Sequence, residues 1–201
     1  AFDPFLGDQP YRATMGQRAS ELAVALYVHR ALLPGQGARV EGLVEFLHDL
    51  RVRPEFAHRV LRNPAEFVLN ADLYGLLRLL GRDDPHHREL IQRAVDAGFL
   101  DHVERHPHRE LDVRLALEWA GVEHPWPSIQ QIVAGSPLVR GQPSALFLDE
   151  SALYALTHIV MFATDFGLAM RATGVNAKMA RAQGIRTGVH IYVGMAIANG
   201  L

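Results

Sequence analysis

Apolar residues recur at spacings of three and four along almost the whole chain, and no stretch alternates apolar and polar positions between turn dipeptides. The pattern predicts an all-α protein. A first helix is expected from about Arg12 to Leu33, with Ala19, Leu22, Ala23, Leu26, Arg30 and Leu33 on one face and Pro34-Gly35 as its stop. A second, about Arg39 to Leu50, carries Val40, Leu43, Val44 and Leu47 as its stripe, and Pro54 opens a short piece. Asn63-Pro64-Ala65-Glu66 places an N-cap amide, a proline at the first helical position and a capping glutamate in order. The helix it starts reaches Leu80, buries Phe67, Ala71, Tyr74, Leu77 and Leu80, and is closed by Gly81. Asp84-Pro85 starts the next, with Leu90, Ile91 and Ala94 inward and Gly98 as stop; Pro107 starts another, with Leu111, Leu115, Glu118 and Trp119 on one face until Gly121.

Residues 122–143 contain Pro125, Trp126, Pro127, Pro137 and Pro143 and read as a long connection with a short helix inside. From Ser151 to about Phe166 the chain is apolar on every side, which predicts a central helix. The expected architecture is a single domain over residues 1–201, with seven to nine helices packed as antiparallel hairpins around that central apolar helix. If the hairpins curve, they form part of an α/α toroid enclosing an apolar cavity.

Composition changes this picture little. The chain has 201 residues, 49% of them hydrophobic, and a formal charge of -2, so it lacks the basic footprint of a nucleic-acid or anionic-membrane binder. There is no cysteine, which removes disulfide scaffolds, thiolate metal sites and cysteine nucleophiles. No apolar run is long enough to span a bilayer and no signal peptide is visible, so the reading is cytoplasmic. Residues 166–201 carry all their charge as Arg171, Lys178, Arg181 and Arg186, together with six glycines, and form a basic segment whose packing the pattern leaves open.

The chemistry is sought where polar groups enter the apolar helix. Tyr154, His158, Met161 and Asp165 follow one another at four, three and four residues and share one stripe. Tyr154, His158 and Asp165 are the candidate catalytic groups: an imidazole as acid or base, with the phenol or the carboxylate polarising a bound carbonyl. His158 and Asp165 are about 10 Å apart along the axis, so substrate or water must lie between them. Met161 and Phe162, with Glu118 and Trp119 of the helix from Pro107, are the candidate substrate contacts. The competing reading gives His158 a core carbonyl, makes Asp165 a helix cap, and pairs Glu118 with Arg114 one turn earlier. His86, His87, His102, His106 and His108 crowd together with Asp101 and Glu104, but the order of residues is wrong for a zinc-protease helix, and no metal is expected. Phosphate loops, dinucleotide fingerprints and a Gly-x-Ser-x-Gly elbow are absent, so no cofactor is expected either.

Tyr154-Ala155-Leu156-Thr157-His158, followed by Phe162-Ala163-Thr164-Asp165-Phe166-Gly167 and preceded by Asp149-Glu150, resembles a signature of helical proteins of unknown function from actinobacterial natural-product gene clusters. The resemblance covers residues 149–167. It implies modification of a specialised metabolite. The expected function is therefore a cofactor-independent cyclase or isomerase acting on a small, largely apolar substrate, without nucleic-acid or membrane partners, with a homodimer as the assembly considered. The alternatives are a non-catalytic binding or scaffold protein for a biosynthetic intermediate, and a metal-dependent hydrolase.

Overall fold

Nine of the eleven positions from Phe67 to Leu77, all but Val68 and Leu69, are buried, and they belong to the helix that holds the molecule together. The computed structural model describes residues 13–32, 34–57, 60–141, 144 and 148–163. Every regular element among these residues is helical. In chain order they are α1 (Ala13–Leu32), α2 (Glu41–Val52), α3 (Pro54–Ala57), α4 (Pro64–Leu79), α5 (Pro85–Asp96), α6 (Pro107–Ala120), α7 (Ile129–Gly135), α8 (Pro137–Gly141) and α9 (Glu150–Ala163), with a 3-10 turn at Pro34–Arg39. The described residues form one all-α domain. None of its helices is long and apolar enough to cross a membrane.

The starts and stops follow the local chemistry. Asn63 Oδ1 accepts from the Glu66 amide at 2.9 Å, and the Glu66 carboxylate accepts from Asn63 Nδ2 at 3.1 Å, which fixes the first turn of α4 from both sides. Asp84 caps α5 by accepting from the His87 amide at 3.2 Å. Gly81, Gly98 and Gly121 all stand in the left-handed region where the chain leaves α4, α5 and α6. Ser128 and Gln131 cap α7 reciprocally, so the proline-containing connection holds two short helices, α7 and α8, rather than one. Replacing Asn63 by Ala is expected to cost about 1 kcal/mol in chemical denaturation, whereas Ser, which keeps an acceptor for the Glu66 amide without setting a second carboxylate against Glu66, should lose less. An alanine variant as stable as wild type would mean that the proline and Glu66 alone set this start.

Packing divides the interior into three apolar cores. The first gathers Leu22, Ala23 and Leu26 of α1, Val44, Leu47 and Leu50 of α2, Phe56, and Leu73, Leu76 and Leu77 of α4. The second lies between α4, α5 and α6 around Phe67, Ala71, Tyr74, Ile91, Val113 and Ala116. The third is smaller: Leu111 and Leu115 of α6, Ile132 of α7 and Ile159 of α9. α4 is the wall shared by the first two cores and α6 the wall shared by the last two, and their mutual contact is the most extensive in the molecule. Near the C-terminal ends of both helices this contact closes at Gly75, where a Cβ would meet Ala120 N and Trp119 C at 2.6 Å.

A central helix thus exists, but among the described residues it is α4 and not the helix that begins near Ser151. Among the described side chains of α9, Ile159 alone is buried; Leu153, Leu156, His158 and Val160 are half-buried and Tyr154 is 46% exposed. The physical reason is in α4 itself. Its polar residues are held in the interior by hydrogen bonds: Asn70 Nδ2 donates to Glu66 O at 2.8 Å, and Asp72 accepts from the buried Ser20 hydroxyl of α1, while Asn70 Oδ1 is buried without a partner among the described residues. Such hydrogen-bonded polar groups make a central helix look amphipathic in sequence.

Candidate functional site

The polar groups of α9 meet a partner that lies far away in sequence, the first turn of α6. Asp149 opens α9 by accepting from the Ala152 amide at 2.7 Å, so the acidic residue in front of the Tyr-Ala-Leu-Thr-His run is a helix cap. One turn later Tyr154 and His158 lie ring against ring, centroids 4.0 Å apart. His158 Nδ1 is 3.0 Å from the Tyr154 carbonyl oxygen. A carbonyl can only accept, so Nδ1 carries the hydrogen, and in the neutral ring Nε2 is left as the acceptor.

On α6, Pro107 fixes the first helical position after His106, whose carbonyl accepts from the amides of Arg109 (2.8 Å) and Glu110 (3.1 Å). This geometry presents His108 and Arg109 to α9, with His106 behind His108. His108, 8% exposed, stands edge-on to both Tyr154 and His158, with centroids at 5.7 and 5.5 Å. His106 stacks on the other face of His108 at 5.7 Å, nearly parallel. Arg109 donates to the Tyr154 hydroxyl oxygen at 3.1 Å and to Asp112 at 2.9 Å, and its guanidinium lies 5.8 Å from the centre of the Tyr154 ring. Burial, then the Arg109 cation and the neighbouring His158 and His106 rings, lower the His108 pKa to about 4. His108 is therefore neutral at physiological pH.

The result is a partly exposed wall of two aromatic and basic layers. The Tyr154 oxygen is held by a cation and keeps its own hydrogen to give, while imidazole nitrogens beside it can accept. Such a wall can hand a proton to an oxygen and take one from a neighbouring carbon.

Of the residues singled out from sequence, Tyr154 and His158 come together. Asp165 lies outside the described residues, and of the side chains of Met161 and Phe162 nothing is described. Glu118 and Trp119 are about 15 Å farther along α6 than His108 and do not join the wall. Glu118 is exposed and pairs with Arg114 at 3.6 Å. It lies about 20° beyond Leu111 around the axis, just outside the arc that packs on α7 and α9. Trp119 packs between the first and third cores, with the Tyr27 ring at 6.4 Å, and its carbonyl accepts from Arg78 at 2.8 Å. His102 is exposed, and among the described residues no three His, Asp or Glu side chains gather as a metal site. Sequence reasoning missed His108 and Arg109. The available signal was a proline-started helix whose first turn carries a histidine and an arginine, with His106 as its cap.

A second polar cluster ties α2, α4 and α5 together. Arg51 is 2% exposed and donates to Asp84 at 2.8 Å, with its guanidinium 5.6 Å from the Tyr74 ring centre. Tyr74 donates to Asp83 at 2.6 Å, and burial together with this carboxylate raises its pKa well above the ordinary phenol value. His87 packs on the same Tyr74 ring, centroids 5.1 Å apart.

Residues 1–198 match a family described as a domain of unknown function, DUF6895. The chain belongs to this family. No curated protein and no solved structure matched it. The description of the DUF6895 family assigns no activity, so the functional argument rests on the geometry of α6 and α9.

Proposed function

We propose that the chain is a cytoplasmic enzyme of specialised metabolism, a cofactor-independent cyclase or isomerase that moves protons on a small, largely apolar substrate at the wall formed by Tyr154, His158, His108 and Arg109. The observation that carries this reading is the Tyr154 phenol, held by Arg109 from α6 while its ring rests on His158. Tyr154 would donate its hydroxyl hydrogen to a substrate oxygen as charge develops there and take it back as that charge is lost. His158 Nε2 would accept a proton from an adjacent carbon and return it at another position, leaving substrate and product with the same mass. Half-buried Leu153, Leu156 and Val160 on α9 supply apolar surface beside these groups. The resemblance of residues 149–167 to proteins of natural-product gene clusters supports the substrate class.

The test uses the constant mass. Purified protein is incubated with organic extracts of the producing organism, and compounds that change chromatographic mobility without changing mass are followed. Tyr154→Phe and His158→Gln should each slow the initial rate roughly 10²-fold while the melting temperature hardly moves. Absence of any constant-mass conversion, or full rates in both variants, overturns the assignment; saturable binding of an extract component without turnover would favour the binding-protein reading.

A further inference from the structure

Helix α5 is attached to the molecule by few side chains. Ile91, Ala94 and Val95 enter the second core, and Gln92 exchanges hydrogen bonds with the Glu123 backbone at 2.8 and 3.0 Å. At its N-terminal end the anchor is His87, 5% exposed, whose amide is the donor to the Asp84 cap and whose ring lies against Tyr74. The buried guanidinium of Arg51 is close to that same Tyr74 ring. His87 Nε2 and Arg51 Nε are both buried, and neither has a hydrogen-bond partner among the described residues.

The groups that face the imidazole are Arg51 from α2, Tyr74 from α4, Asp84 from the connection and His86 from α5 itself; Asp83 and Arg88 stand beyond them at the Tyr74 hydroxyl. Asp84 is already paired with Arg51, and Asp83 with the Tyr74 hydroxyl and with Arg88 at 3.6 Å. A proton added to His87 therefore enters a buried pocket that already holds one guanidinium. It finds no free carboxylate and no acceptor for Nε2.

We propose that His87 is the latch of a pH-gated helix: protonation of its imidazole releases α5, between Gly81 and Gly98, while the α4–α6 pair stays folded. The latch holds when the ring is neutral. Burial, then the Arg51 cation, lower the His87 pKa from 6.5 to about 4 in the docked state. Once α5 is undocked and hydrated, the ring returns to its ordinary value. The undocked form then binds the proton more tightly, so the docking equilibrium weakens as pH falls from 6.5 towards 4. At pH 5 the loss amounts to about thirtyfold relative to pH 7.5.

Hydrogen exchange followed by mass spectrometry at pH 7.5 and 5.0, with labelling times scaled for the intrinsic exchange rate, tests the latch. In the wild-type chain, peptides covering residues 85–96 should lose about thirtyfold in protection, while those of α4 and α6 keep theirs. His87→Phe fills the same place beside Tyr74 without titrating, and its α5 protection should be the same at both values of pH. If His87→Phe does not fold, His87→Gln carries the same expectation. Equal loss of protection in α4, α5 and α6, or a non-titrating variant that still releases α5 at pH 5.0, overturns the proposal.

Discussion

Gly75→Ala is expected to destabilise the protein by about 2 kcal/mol or more, although alanine is the better helix former. In an exposed helix interior the same exchange would gain about 1 kcal/mol. Here the new Cβ would be 2.6 Å from Ala120 N and from Trp119 C, and 2.7 Å from Trp119 Cβ. Two of these atoms are backbone, so no flexible side chain can swing aside, and α4 and α6 must separate. Separation opens the second core, which lies between α4 and α6, and loosens Trp119 against the first and third, and the lost packing outweighs the gain in propensity. Gly75→Val should be worse. Guanidinium unfolding checks the order wild type, Ala, Val; an alanine variant more stable than wild type would mean that α4 and α6 do not touch at this point.

Asp84→Ala is expected to cost about 4 kcal/mol, more than a helix cap alone can explain. The carboxylate does two things. It caps α5, worth about 1 kcal/mol, and it neutralises Arg51, whose side chain is 2% exposed and cannot turn to water. Removing one partner of a buried pair costs about 3 to 5 kcal/mol because the other charge stays behind; Asp84 itself is 31% exposed, which places the expectation in the lower part of that sum. Asp84→Asn keeps the cap and an acceptor for the guanidinium and should lose clearly less. Arg51→Met removes the buried charge together with the need for a partner and should also fall short of the alanine effect. Equal losses for Ala and Asn would assign the whole effect to charge; a loss near 1 kcal/mol for Ala would assign it to the cap.

The helices were legible because their ends are decided by neighbours in sequence. Asn63-Pro64, Asp84-Pro85 and Pro107 start α4, α5 and α6, and Gly81, Gly98 and Gly121 end them, each through contacts within a few residues. Which helix is central depended on non-local facts. Asp72 is held in the interior by Ser20 of α1, 52 residues away, and nothing near Asp72 in sequence announces this. The candidate site divides in the same way. Tyr154 and His158 are one helical turn apart and could be paired from spacing alone, whereas Arg109 reaches Tyr154 across 45 residues. His108 stands in the crowd of histidines from His86 to His108, and nothing in that composition separates the buried ring from the exposed His102 and His106. Glu118 stands apart from the wall for a geometric reason: a helix that serves two cores has two buried arcs, and a single stripe drawn through Leu111 and Leu115 overshoots the edge of one of them.

Trp119 and Trp126 are the only two tryptophans of the chain, and they report on different places. The Trp119 indole stands where the first and third cores meet, within energy-transfer range of Tyr27 on α1; Trp126 packs on the second core. The protein therefore carries its own pair of optical probes. With one indole replaced by phenylalanine, the emission of the other follows its own surroundings, and the transfer from Tyr27 to Trp119 measures how closely α1 stays on α6. Whether the three cores melt as one body or in sequence can be read from the protein's intrinsic light, without any added label.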